Sequence, residues 1–196
     1  MPFSSAKNNL TRFSTAASCT TAAAACWRRW IAGKRPAAAR GKGRGVTTSF
    51  DLIAPNEQTL DLLRPLLPSV DYFMPSLEEA SDLSGRTDPA DIARFFFDLG
   101  VGTCILKDGE NGSWLLSGDG GVEHIAPYRV DAVDTTGCGD SYCGGFIAAL
   151  ARGMSVKEAC EVASAVAALV ATGLGSDAGV VDWDHTLAFM AANRAG

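Results

Sequence analysis

The chain has 196 residues, 47% of them hydrophobic and 20% charged, enough to bury one sizeable core. Glycine, proline and charge sit near ordinary globular values, which excludes collagen, coiled coil and wholesale disorder. No run approaches eighteen uninterrupted apolar residues, so no membrane partner is expected. The six cysteines form no C-x-x-C pair and no dense framework, and read as reduced thiols of a cytoplasmic interior. With only His124 and His185, far apart, a Cys/His zinc site has no support.

The net charge of −5 conceals an asymmetry. Residues 1–44 hold nine of the seventeen basic residues and no acidic one, and the first carboxylate is Asp51. The remainder sets eight basic residues against 22 acidic, a formal charge of −14. Three readings compete for the basic stretch. It has the composition of an organellar transit peptide, which would move the chain from the cytoplasm to an organelle. It could be a basic nucleic-acid arm, although dispersed charge without a patterned fold argues for no nucleic-acid partner. It could equally be a disordered extension, or a start that replaces a lost segment. Ala22–Ala25, with Thr20 or Thr21 as cap, could seed a short helix through Trp30.

From Gly45 the pattern changes. Val46–Leu52 is β-branched and aromatic and predicts a strand. Glu57–Leu67 carries leucines at helical spacing, with Pro65 expected to shorten or bend it. Val70–Met74 predicts another strand. Ser76–Leu83 opens as a capping box, Ser76 followed by Glu79. Asp88–Leu99 has cap and first-turn residues in Asp88 and Pro89 and a stop in Gly100. Strands follow at Thr103–Lys107, Ser113–Ser117 and Val122–Ile125, the Gly109–His124 region forming an antiparallel hairpin. Helices are expected at Asp140–Arg152, Ser155–Thr172 and Asp184–Asn193. Strands alternating with helices argue for an α/β fold with a mostly parallel sheet covered on both faces.

The chemistry concentrates in Asp134–Asp140, DTTGCGD, followed by SYCGGF. Gly137 and Gly139 permit backbone conformations and close approach that side chains block. The apolar helix beginning near Asp140 points unpaired N–H groups into that loop, which suits a phosphate. Asp140 stands beside the anion site, able to take a proton from a hydroxyl or merely to cap the helix. Ser76 and Glu79 likewise read as a helix cap, a functional pair, or both. Trp114 and Trp183 read as packing residues.

This segment resembles the signature of the PfkB-type, ribokinase-like carbohydrate kinases, D-T-T-G-A-G-D-x-F, departing from it at Cys138 and Tyr142. The resemblance runs from about Gly45 to the end. It implies a ribokinase-like α/β fold and ATP-dependent transfer of a phosphoryl group to a hydroxyl of a sugar or nucleoside-like acceptor. Asp140 would be the base, and the Gly137, Cys138 and Gly139 amides the anion hole. Met74–Ala80 resembles the family's N-x-x-E motif, with Glu79 matching the acid that helps place Mg2+ and Ser76 standing where Asn is common. Lys107–Gly112 takes the place of a strand and Gly-x-x-Gly turn beside the ATP phosphates, implying roles for Lys107, Gly109 and Gly112. Thr135 and Gly173 join the nucleotide side by the same likeness, Gly173 at the end of the alanine-rich helix Ala159–Ala171 that would border the adenine. Asp134 would orient the loop or lie near a monovalent cation.

The family's sugar-recognition half, with its N-terminal Gly-Gly motif and small β lid, has no counterpart in residues 1–44. A sheet without its first strands would leave an open edge that invites association, a homodimer among the outcomes. Two readings therefore stand beside a working kinase. One is a silent nucleotide-binding fragment or pseudokinase; the other is a regulatory or oligomerising module.

Overall fold

The computed structural model describes residues 46–193 and the backbone of Phe13–Ala16. The expected alanine helix of residues 22–30 lies outside the described residues. Six strands form one sheet in sequence order: β1 (Phe13–Ala16), β2 (Thr47–Phe50), β3 (Tyr72–Phe73), β4 (Thr103–Lys107), β5 (Ser113–Ser117) and β6 (Val122–Ile125). β1 to β4 are parallel, while β5 and β6 return antiparallel. β1 comes from the basic stretch and pairs with β2 over four residues, Phe13 opposite Thr47 through Ala16 opposite Phe50. The side of β2 that the sequence leaves open is thus covered.

The helices are α1 (Thr59–Leu63), α2 (Leu77–Ser84), α3 (Pro89–Asp98), α4 (Cys138–Ala151), α5 (Val156–Ala171) and α6 (Trp183–Ala192). Their ends follow local chemistry. α1 is shorter than the leucine spacing predicts, because Pro65 has no N–H to continue the helical ladder; a 3₁₀ turn at Leu67–Ser69 completes the segment. α2 and α5 begin with capping boxes, Ser76 with Glu79 and Ser155 with Glu158. At α3 the Asp88 carboxylate accepts from the Ala90 and Asp91 N–H groups, with Pro89 at the first helical position. β3 is two residues long, yet the ladder continues past it through Gly102 N–H to Val70 O and Met74 N–H to Phe50 O.

Alternation along β4 divides the core. Cys104 and Leu106 face a cluster with Phe50, Phe73, Ile92 and Phe96 under α1–α3. Ile105, between them, faces the opposite cluster with Met74, Phe146 and Val162 under α4–α6. All three are fully buried. In the second layer α4 and α5 pack closely because Gly145 lacks a side chain: a Cβ there would lie 3.0–3.2 Å from Ala163 and Val166. Arg152 also stacks over Trp183 at 4.0 Å, tying α6 to the end of α4. Among the described residues, no helix is long and apolar enough to cross a membrane.

Phe96 anchors the first layer, fully buried and edge-on to Phe73 with ring centroids 4.7 Å apart. Phe96→Ala should lower the unfolding free energy by about 3–5 kcal/mol. Urea denaturation followed by circular dichroism checks this, and a loss below about 1 kcal/mol would contradict the packing described.

Candidate functional site

The DTTGCGD segment turns into α4 beside Lys107, the last residue of β4. Gly137 makes the turn. Its φ of 78° lies in the left-handed region, and a Cβ there would fall 2.5 Å from Ser176 Cβ. α4 therefore starts at Cys138, two residues before the expected Asp140, because Gly137 and not Asp140 occupies the cap position. The first i to i−4 bond runs from Ser141 N–H to Gly137 O at 2.8 Å. The N–H groups before it have no helical acceptor.

This changes the expected anion hole in one respect. The Cys138 N–H already donates to Thr135 O at 3.2 Å, closing the bend. The donors turned outward by the helix start are those of Gly139 and Asp140, with the positive end of the α4 dipole behind them. Asp140 itself is exposed in the first turn.

Three further contacts brace the bend. The Asp134 carboxylate accepts the Thr136 N–H at 2.9 Å and the Gly175 N–H at 3.2 Å. The Thr136 backbone N–H foremost, then its hydroxyl and the Gly175 N–H, hold the Asp134 carboxyl below its ordinary range. The stabilisation these bonds provide is present above the usual carboxylate pKa and is lost as pH falls through the depressed one. Ser141 Oγ donates to Ser176 O at 3.1 Å.

In front of the bend opens a cavity of about 560 Å³, of a size suited to a small-molecule ligand. Lys107, Gly109, Gly112, Thr135, Cys138 and Gly139 all line it, so it brings together six of the residues singled out in the sequence. Ala167, Ala168 and Ala171 of α5 form one wall, whereas Ala159, Ala163 and Ala165 are fully buried in the core. The alanine-rich helix thus serves packing on one face and the cavity on the other. Gly173 packs against Ala178 outside the cavity, and Gly137 lies beneath Ser176.

Glu79 stands apart from this wall. Its Oε2 accepts the Ser76 N–H at 3.0 Å and its Oε1 the Ala54 N–H at 3.1 Å, so it both caps α2 and ties down the loop after β2. Ala54 has a φ of 45°, left-handed for a residue with a side chain, and that N–H bond helps to hold it there. No three His, Cys, Asp or Glu side chains gather as a metal-binding group among the described residues. The donor set fits a Mg2+ held mainly by phosphate and water, with carboxylate support, not one caged by protein.

The structure adds residues that carry no signal in the sequence. Pro127 to Val130, an irregular stretch, line the cavity together with Tyr142 of α4 and Ser164 of α5. Tyr142 is buried, its hydroxyl 2.8 Å from Ser113 Oγ. Asp51 and Cys143, which do not line the cavity, meet Lys107, which does: Lys107 Nζ donates to Asp51 Oδ2 at 2.6 Å, and Cys143 Sγ to the same oxygen at 3.3 Å. Burial pushes the Asp51 carboxyl above its ordinary range, while the Lys107 charge and the hydrogen bonds to it pull the other way. Burial likewise pushes the Cys143 thiol up, leaving it a thiol and not a reactive thiolate.

Comparison with known proteins places this geometry. The 2-dehydro-3-deoxygluconokinase of Bacillus subtilis is 29% identical over 161 residues, which cover 78% of this chain and 49% of that protein. The crystal structure of ribokinase from Thermotoga maritima is 29% identical with a TM-score of 0.68, covering 77% of this chain and 51% of that one. Aminoimidazole riboside kinase from Salmonella enterica, solved with aminoimidazole riboside and an ATP analogue, is 26% identical with a TM-score of 0.71 over 85% of this chain and 57% of that one. The chain spans about half the length of these relatives, and its mixed, mostly parallel sheet flanked by helices is the ribokinase-like α/β fold. Residues 36–183 match the pfkB family carbohydrate kinases, and the chain belongs to that family.

Proposed function

We propose that the described part of the chain is the nucleotide-binding and base-bearing portion of an ATP-dependent sugar kinase. The observation that carries this reading is the bend at Gly137. It sets outward-facing N–H groups and an exposed carboxylate on consecutive residues, at the edge of a cavity of nucleotide size.

In this reading the adenosine lies between the alanine face of α5 and the Pro127–Val130 segment, and the terminal phosphate reaches the Gly139 and Asp140 amides. The Asp140 carboxylate takes the proton from an acceptor hydroxyl as its oxygen bonds to the γ-phosphorus and the bond to the ADP oxygen breaks. Charge on the transferring group is met by the α4 N-terminus and by Lys107, fixed donors that need no reorganisation. A Mg2+ would supply further neutralisation of the phosphate charge, and Glu79 is the carboxylate that would support it through water. A monovalent cation beside Asp134, at the joint between the bend and the Gly173–Gly179 loop, is a finer proposal, with the half-buried Asp134 carboxylate as its available ligand.

The shared half-length favours one rival, a nucleotide binder that does not turn over because acceptor contacts lie in the part of the relatives this chain does not span. Two measurements separate them: a thermal shift with Mg·ATP, then ADP release across a panel of sugars. Stabilisation with sugar-dependent ADP release supports the kinase, and stabilisation alone supports the silent binder. Asp140→Asn should reduce that release by roughly 10²–10⁴-fold while the Mg·ATP thermal shift is retained. Turnover equal to the parent's would remove Asp140 from the role of base.

A pair of glycine variants tests the bend. Gly137→Ala should cost roughly 2–4 kcal/mol of stability, from its left-handed φ and the Ser176 clash, and abolish the Mg·ATP shift. Gly144→Ala, at an exposed site in α4 with nothing within 4 Å of the added Cβ, should gain about 0.5–1 kcal/mol and leave the shift intact. Chemical denaturation and ligand-dependent melting read both, and a Gly137→Ala protein with a normal shift would contradict the role given to the bend.

A further inference from the structure

β2 and β4 run parallel with β3 between them, so the residues that close or follow them emerge on one side of the sheet. These are its carboxyl ends, where open α/β sheets place ligands. There Asp51, just after β2, meets Lys107, the last residue of β4, at 2.6 Å across 56 residues of sequence. The two side chains are 16% and 12% exposed. The carboxylate is fixed from two more directions, by the Leu52 N–H on Oδ1 at 2.8 Å and by the Cys143 thiol on Oδ2. The ammonium faces the other way as well: Lys107 lines the cavity, and a methyl group placed on Gly139 would stand 3.3 Å from Nζ.

A lysine is a point charge on a flexible stem, so where its ammonium rests depends on what holds it. An exposed ion pair holds weakly because water competes for both charges. In a site this dry the competition is largely removed, and the carboxylate dictates the ammonium's position.

We propose that Asp51 is a positioning residue for phosphoryl transfer: it holds the Lys107 ammonium beside the Gly139 turn, where the terminal phosphate arrives, without itself touching the nucleotide. This rests on the nucleotide reading of the cavity. Asp51 then sets how well the site distinguishes a triphosphate from a diphosphate, because the charge it places meets only the terminal group.

Calorimetric titration of the 196-residue chain with Mg·ATP and with Mg·ADP tests this, using Asp51→Asn, Asp51→Glu, Lys107→Gln and the Asp51→Asn/Lys107→Gln double variant. Asp51→Asn should weaken Mg·ATP roughly tenfold and Mg·ADP hardly at all, and Asp51→Glu should weaken Mg·ATP by less. In the Lys107→Gln background Asp51→Asn should add no further loss, since it acts through the lysine. Unchanged or tighter Mg·ATP binding, an equal loss for Mg·ADP, or losses that multiply in the double variant would each overturn the proposal. Should Asp51→Asn unfold at the assay temperature, Asp51→Glu decides: it keeps the charge but displaces it, and unchanged Mg·ATP affinity overturns the proposal. A parent chain that binds neither nucleotide would instead overturn the nucleotide reading, and this inference with it.

Discussion

A single left-handed residue organises the site. Because Gly137 turns at φ 78° against Ser176, α4 can begin directly beneath the loop, and its first amides face outward before the helical ladder closes at Ser141. A side chain at Gly137 would push the Ser176 loop away and with it the Gly175 N–H that braces Asp134. The positions of Gly139, Asp140 and the cavity mouth all follow from that contact. The anion site proposed there would need little charge from side chains, since backbone donors and the helix dipole are built into the fold.

The sheet contributes the second constraint. Parallel order brings the ends of β2, β3 and β4 to one side, so Asp51, Ser76 and Lys107 converge although they are distant in sequence. The Lys107 N–H bonds to Pro75 O at 3.0 Å, which fixes the strand end from which the lysine side chain departs. The loop after β2 is pinned by Glu79 from α2 and, through Asp51, by Lys107 from β4. The loop after β2, α2 and β4 are in this way joined by polar contacts and not by apolar packing alone, and a largely buried polar pair such as Asp51–Lys107 defines geometry more sharply than it adds stability.

Much of this was legible in the chain itself. Period-2 and period-3.6 patterning located the strands and helices from Thr47 onward, and the caps at Ser76, Asp88 and Ser155 are local chemistry that needs no tertiary information. The DTTGCGD segment announced a tight bend into a helix start for the same reason: two glycines ahead of an apolar helix suffice. The choice of cap residue could not be read, because whether Gly137 or Asp140 ends the loop depends on the contact with Ser176, nearly forty residues later. Likewise the Cys138 amide was free to be assigned to the anion until the turn to Thr135 was visible. The Asp51–Lys107 pair and the Pro127–Val130 wall carry no periodic signal at all; parallel pairing and the path of an irregular segment create them. Strand β1 lay in a stretch whose composition gave no apolar period, and its pairing with β2 is set by the partner strand.

The central claim is that the Gly139 and Asp140 amides gather the terminal phosphate of a nucleotide beside the Asp140 carboxylate. Backbone ¹⁵N–¹H spectra of the labelled chain, titrated with Mg·ATP and separately with Mg·ADP, address it most directly. The account predicts that the Gly139 and Asp140 resonances shift most on saturation with Mg·ATP, and markedly less with Mg·ADP. If Mg·ATP saturates the chain while those two amides stay unmoved, the phosphate lies elsewhere and the account is wrong.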